Sequence, residues 1–469
     1  MGFFDRSTEE ITRSPVGRVL VILAGPIFVQ NVVHVLQQLI DLYWLGRHSS
    51  AGIAAVGLAV PVILFLLKST ISATFVGTQV LVSQRIGADS EEGARRALFT
   101  GLVVTALLGL GIGGLMFFNV GTLIEAISSV RPGGTDATTL LYARRYLRVI
   151  ALGVVFAGLS DVVEAAFLGW GDSRSTLYVN VATVMANSVA TPIFMFGVGP
   201  VPAMGITGAA IGTVGGYLSG FLLGVALAVG GPHDLFSWSA ATLDRGEVRE
   251  LLDVGLPHAV KGGADSVGDT VLVVLIFSVA GSAGMVAYTV SSRVGTVAFR
   301  TTDALNQAAQ TVVGQNLGAD QPDRALRTVW TGAAISAGLL LVLGGAQYLF
   351  PGTLTRLLSP EVDGRAFALS TAALRIVAIS YPAFGVLALV RAGFNGARRT
   401  KTTMAASLAQ TWLLYIPLAL AAVFAFEYGV TAVFWADTIA TFVVALGLGG
   451  YFVYSTNRGM YQRATEQVD

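Results

Sequence analysis

Long apolar runs broken by short polar stretches dominate the chain, and their lengths predict its elements. A helical crossing needs about 20 apolar residues. With Gly, Pro and charge clusters as punctuation, twelve such spans fall at roughly 17–45, 51–83, 97–119, 139–169, 176–199, 203–231, 249–280, 283–313, 326–350, 367–395, 403–426 and 430–455. A β-barrel would need alternating segments of about ten residues, and these runs are far longer. The expected fold is an all-α membrane protein of twelve transmembrane helices. They divide into an N-lobe (17–231) and a C-lobe (249–455) joined by a charged linker (232–248), with polar tails at 1–16 and 456–469.

Polar residues inside the first span break its apolar pattern. In "QNVVHVLQQLIDLYWLG", Gln30, His34, Gln37 and Asp41 advance by four, three and four residues and share one helical face. An acid facing lipid would not bring aligned polar partners, so this face is expected to meet protein or water.

Composition supports the membrane reading. Of 469 residues, 54% are hydrophobic and 12% charged, against about 25% charged in soluble domains. The 56 glycines fit close helix packing in lipid. A net charge of +1, without a dense basic cluster, gives no sign of a nucleic-acid partner, and the absence of cysteine removes disulfides and thiolate sites. The N-terminus carries acids before any apolar run and does not read as a signal peptide. Sixteen Lys and Arg fall in alternate segments that include both tails and eight in the others, which places the termini in the cytoplasm of a multi-pass protein of the cell membrane.

The two halves repeat. "QRIGAD" at 84–89 returns as "QNLGAD" at 315–320, and Pro26 returns as Pro257, both 231 residues on. "FLGWGDSRST" from Phe167 matches "FNGARRTKTT" from Phe394, and Thr191-Pro192 matches Ile416-Pro417. Six spans per repeat is an even number, so the lobes enter the membrane from the same side as parallel, pseudo-symmetric repeats. The 231-residue shift carries Gln30, His34 and Gln38 onto Lys261, Asp265 and Asp269, so both first helices are expected to face a shared polar space, while Asp41 falls on Leu272. Lys261 and Asp265 lie one turn apart and are placed to neutralise each other. "GITGAAIGT", ending at Thr213, matches "GVTAVFWAD", ending at Asp437. Glu164 and Arg391 each stand five residues before a glycine and are expected to anchor or gate the cytoplasmic end. Lys68, Arg300 and Asp303 lie nearer mid-membrane, with Arg300 and Asp303 placed to pair.

In order and spacing, "DLYWLG", "QRIGADSEEGARRAL", "FLGWGDSRST", "NSVATP" and "GITGAAIGT", followed by the matching second half, resemble the multidrug and toxic compound extrusion family over nearly the whole chain. The resemblance implies two six-helix bundles, alternating access, and export of organic cations or amphipathic compounds driven by inward H+ or Na+. It also implies a proton or cation site at Asp41, supported by Asn187, Thr191 and Thr213. Thr191 departs from the family, which often has an acid before that proline. One carboxylate favours H+ over Na+, with Na+ at Asp41 as the alternative. His34, Gln37, Gln38, Lys261, Asp265, Asp269 and Asp437 are the substrate-cavity candidates, and Pro26 is the candidate hinge.

No enzymatic site is expected: His34, His48, His233 and His258 form no metal-ligand pair, no phosphate loop is present, and no cofactor is implied. The expected partners are a small-molecule substrate and the bilayer, with the chain acting as a monomer. The alternative is a flippase for a lipid-linked saccharide, which would be expected to show a strongly cationic cavity.

Overall fold

The computed structural model describes residues 8–66, 71–129, 136–231 and 235–466, and among them every regular element is helical. Lys68 and His233 lie outside the described residues. The helices are α1 (Thr8–Arg13), α2 (Val16–His48), α3 (Ser50–Leu66), α4 (Ser72–Gly87), α5 (Glu91–Ser129), α6 (Ala137–Trp170), α7 (Ser173–Phe196) and α8 (Ile206–Gly230). They continue with α9 (Arg245–Gly318), α10 (Pro322–Leu349), α11 (Pro351–Leu358), α12 (Gly364–Gly396), α13 (Thr400–Leu408), α14 (Ile416–Leu420), α15 (Thr431–Asn457) and α16 (Met460–Thr465).

Among the described residues, ten helical stretches are long and apolar enough to cross a membrane. The second expected span is divided between α3 and α4. The seventh and eighth form the single long α9, broken at Gly281, whose backbone at φ 55° and ψ −140° is open to glycine and costly for other residues. The eleventh carries two π-helical stretches, Ala409–Tyr415 and Ala421–Ala425, on either side of α14.

The chain divides into two compact units: unit 1 contains residues 25–259 and unit 2 contains residues 8–24 and 260–469. The core of unit 1 gathers Leu147, Ile150, Val154 and Ala210 with a second cluster around Val80, Leu98 and Phe167. Unit 2 is built around Val313, Leu387, Phe394 and Phe452. The fourth and tenth spans, α6 and α12, are the most buried of the long apolar helices, as expected of equivalent central helices in a repeat.

The repeat extends to backbone detail. α4 and α9 end alike, with Asp89 and Asp320 both left-handed at φ 56° and 52°. After α6 and α12 the left-handed residues are Gly171 and Arg398, and in each case the next amide donates back to a phenylalanine carbonyl, Asp172 to Phe167 and Arg399 to Phe394, both at 2.8 Å. These bonds satisfy carbonyls that a helix end would otherwise strand in apolar surroundings. Just before these turns, Gly169 meets Val82 and the Gln79 carbonyl, and Gly396 meets Val313 and the Gln310 carbonyl, equivalent contacts in the two halves of the repeat.

Candidate functional site

A line of glycines on α8 positions the polar residues of α7. Gly208, Gly212, Gly216 and Gly220 recur every four residues and so share one face. A Cβ on Gly212 would stand 2.7 Å from the Thr191 Cα, and one on Gly216 would stand 2.9 Å from the Asn187 Cβ. Only hydrogen at these positions lets the two backbones approach so closely, as small residues do between membrane helices.

Against that face, Asn187 and Thr191 are fully buried, and the Thr191 hydroxyl donates to Asn187 Oδ1 at 2.7 Å. The amide oxygen is thereby occupied, which turns Asn187 Nδ2 outward as a donor. It reaches Asp41 Oδ2 from α7 at 3.4 Å, a long hydrogen bond. The other carboxylate oxygen, Oδ1, is buried with no hydrogen-bond partner. Thr213 donates to the Ala209 carbonyl at 3.1 Å and is hydrogen-bonded to the buried Tyr146. Asp41, Asn187, Thr191 and Thr213 therefore form one cluster in unit 1. Because α2 runs on to His48, the acid stands two turns inside the helix end.

A second polar station lies about 16 Å down α2, eleven residues away. Gln30 Nε2 donates to Glu164 Oε2 at 3.0 Å, and Asn180 Nδ2 approaches the same oxygen at 3.4 Å. Glu164 is 5% exposed, and Ser160 reaches its other oxygen at 3.5 Å. Asp161, one turn back on α6, adds a second carboxylate within electrostatic reach. It was not singled out from the sequence, although its spacing of three from Glu164 places both on one face. His34 and Gln37 are half-buried on the helix between the two stations, and Gln38 is exposed.

Unit 2 holds a different set. Lys261 and Asp265 are ion-paired at 3.2 Å, as their spacing allowed. Gln307 donates to Asp303 at 2.9 Å, and Arg300 and Lys261 act electrostatically on that acid. Asp437 and the exposed Asp269 lie within electrostatic reach of one another, with Tyr288 and Tyr415 beside them. Arg391, the counterpart of Glu164, donates to Gln410 Oε1 at 2.7 Å, and Gln410 in turn donates to Thr441. Among the described residues no group of three or more His, Asp or Glu is placed to hold a metal ion.

The MatE family model matches residues 26–193 and 263–421, one block in each half of the repeat. The chain belongs to the MatE family. It is therefore a MATE multidrug-efflux transporter by family and not an enzyme. The "Probable multidrug resistance protein NorM" of Thermotoga maritima is 24% identical over 439 residues, 90% of this chain and 89% of that protein. The "FAD transporter" of Shewanella oneidensis is 23% identical over 417 residues, 87% of this chain and 88% of that one. Among solved structures, a MATE protein in its bent conformation superposes with a TM-score of 0.87 at 21% identity, covering 99% of both chains. Twelve transmembrane helices in two lobes is accordingly the architecture of this MATE chain.

Proposed function

We propose that the protein is a secondary active exporter of organic cations or amphipathic compounds, working by alternating access and coupled to inward proton flux through Asp41. The observation that carries this reading is the Asp41 carboxylate, with one oxygen held by Asn187 and the other buried without a donor. Away from water the charged form is costly unless something compensates it. A proton is the smallest group that does so.

Na+ would ask for several oxygens and more negative charge. Here the Asn187 oxygen is already taken by Thr191, and Thr191 replaces a second acid. Inward H+ neutralises Asp41, weakens its hold on a cationic cargo, and the cargo leaves outward. Relatives named for multidrug resistance and for FAD transport indicate that cargo varies within the family. The charge distribution supports a cell-membrane protein with cytoplasmic termini, and one chain carries both lobes, which favours a working monomer.

The test is uptake of a cationic dye in proteoliposomes under separately imposed pH and Na+ gradients. The pH gradient alone drives uptake in the wild type, and Asp41→Asn abolishes it while the protein remains folded. Uptake driven by Na+ alone, or unchanged in Asp41→Asn, overturns the reading.

A further inference from the structure

Unit 1 contains a second set of acids that the Asp41 cluster does not use. Asp161 and Glu164 stand three residues apart on one face of α6 and act on one another electrostatically. Glu164 is buried and Asp161 half-buried. Among the described residues no Lys or Arg acts on either acid. α3 and α8, both packed on α6, carry no charged residue, and the charges of α4, α5 and α7 stand near their helix ends. On α2 the titratable neighbour is the half-buried His34, one turn from Gln30. Two like charges confined together repel unless a cation or a proton stands between them.

The neighbouring amides are set for a proton. Gln30 Nε2 and Asn180 Nδ2 both turn toward Glu164 Oε2. The oxygens of the same two amides, Gln30 Oε1 and Asn180 Oδ1, are buried without a hydrogen-bond partner, and Asn180 as a whole is 5% exposed. With Glu164 charged, the amide N–H groups compensate it and the oxygens are stranded. With a proton on Glu164, turning either amide over lets its oxygen accept from the carboxyl O–H, and the stranded acceptor is satisfied. A metal ion would instead meet the N–H groups already pointing at Oε2.

A phenol lies between this pair and Asp41. Tyr217 of α8 is within electrostatic reach of Asp161, Asp41 and Tyr146, and Tyr146 is hydrogen-bonded to Thr213 of the Asp41 cluster. Connected titratable groups inside a membrane protein mark proton routes.

We propose that Asp161 and Glu164 form a second proton-binding station, and that a proton taken up at Asp41 is delivered to it through Tyr217. In the transfer the Asp41 carboxyl gives up its proton, the Tyr217 oxygen accepts one and releases its own phenolic hydrogen, and the acid pair takes that hydrogen; the phenol ends unchanged. Asp41 and Gln30 ride on α2, whereas the acid pair and Tyr217 belong to α6 and α8. Movement of α2 therefore makes and breaks the route, which prevents a standing leak. This deepens the exporter reading and rests on its inward proton flux.

The experiment is infrared difference spectroscopy of the purified full-length protein titrated across neutral pH, reading the C=O stretch of protonated carboxyl groups. Ordinary surface carboxylates titrate well below that range. The Asp41→Asn protein is expected to keep a titrating band that loses amplitude when both acids of the pair are replaced, by Asp161→Asn and Glu164→Gln. Either replacement alone shifts the midpoint of that component, because the two acids titrate as a pair. An unchanged band in the folded variants overturns the station. Tyr217→Phe tests the route: exchange of labelled for unlabelled dye, which needs no net proton movement, is retained, while pH-driven uptake slows about tenfold or more. Unchanged uptake, or loss of uptake and exchange together, overturns the passage through Tyr217. The spectra involve no gradient, so failure of Asp41 coupling and failure of the station are read separately.

Discussion

At the scale of single residues, Thr191 decides how many charges the first-unit site can hold. Its hydroxyl is spent on Asn187 Oδ1, so it contributes no charge and little free coordination to Asp41. Thr191→Asp would place a second carboxylate beside Asn187 and convert a one-acid site into a two-acid one. Two carboxylates in one buried site repel unless a cation stands between them. The expected outcome is transport that becomes Na+-stimulated, read in proteoliposomes with a Na+ gradient at fixed pH; unchanged Na+ independence would show that charge count does not set the ion. The Asp41–Asn187 pairing was legible in the sequence because spacing put the acid on the polar face of the first span and the family resemblance supplied the partner. Asp161 was not, since a single acid within a regular helical run gives no sign of being aimed at Glu164 until the helix is folded.

At the scale of elements, close helix contact does what side-chain chemistry alone cannot. The glycines of α8 were legible only as a high overall content. Their four-residue spacing was the missed signal, and it is what brings Asn187 and Thr191 to Asp41. Gly212→Ala would drive a methyl group into the Thr191 backbone. Overpacking of this kind costs about 1–3 kcal/mol, so a lower melting temperature and weakened pH-driven uptake are expected together, measured by thermal unfolding and dye flux. The π-helical stretches of the eleventh span could not be read in advance, because the hydrogen-bond register that makes them leaves no periodic mark in the residues. Helix caps are local devices. Asp136 accepts the Thr139 amide at 2.8 Å at the start of α6. The Thr139 hydroxyl and amide hold its carboxyl below the usual carboxylate range. Its proton is therefore bound more weakly in the folded state than in the unfolded one. The cap's contribution is complete above the unfolded carboxylate's titration, at about pH 3.9, and is lost as pH falls through the lower folded one. Asp136→Asn keeps an acceptor and should flatten the pH dependence of melting across that window.

At the scale of the whole molecule, two helices belong to both units, and each changes allegiance beside a proline. α2 passes from unit 2 to unit 1 between residues 24 and 25, next to Pro26, and α9 passes from unit 1 to unit 2 between residues 259 and 260, three residues beyond Pro257. Each proline removes a backbone donor and crowds the preceding turn, which weakens the helix locally without ending it. The helix starts are tied firmly where they lie: Arg85 bridges Glu247 at 2.9 Å and Glu250 at 2.7 Å in unit 1, and Arg324 donates to the carbonyls of Ile11 and Ser14 in unit 2. A helix fixed at one end and softened at the crossing concentrates bending at the proline. The proposed alternating-access cycle would use such bending in α2, letting the Asp41 segment respond to protonation while the start of the helix stays in unit 2. Pro26→Ala restores the missing donor and stiffens that point. Expression and melting temperature should hold or rise, whereas pH-driven uptake should fall severalfold. Amide exchange around residues 22–26 should slow in the same variant, and transport that persists at the wild-type rate with slowed exchange would separate bending at Pro26 from the transport cycle.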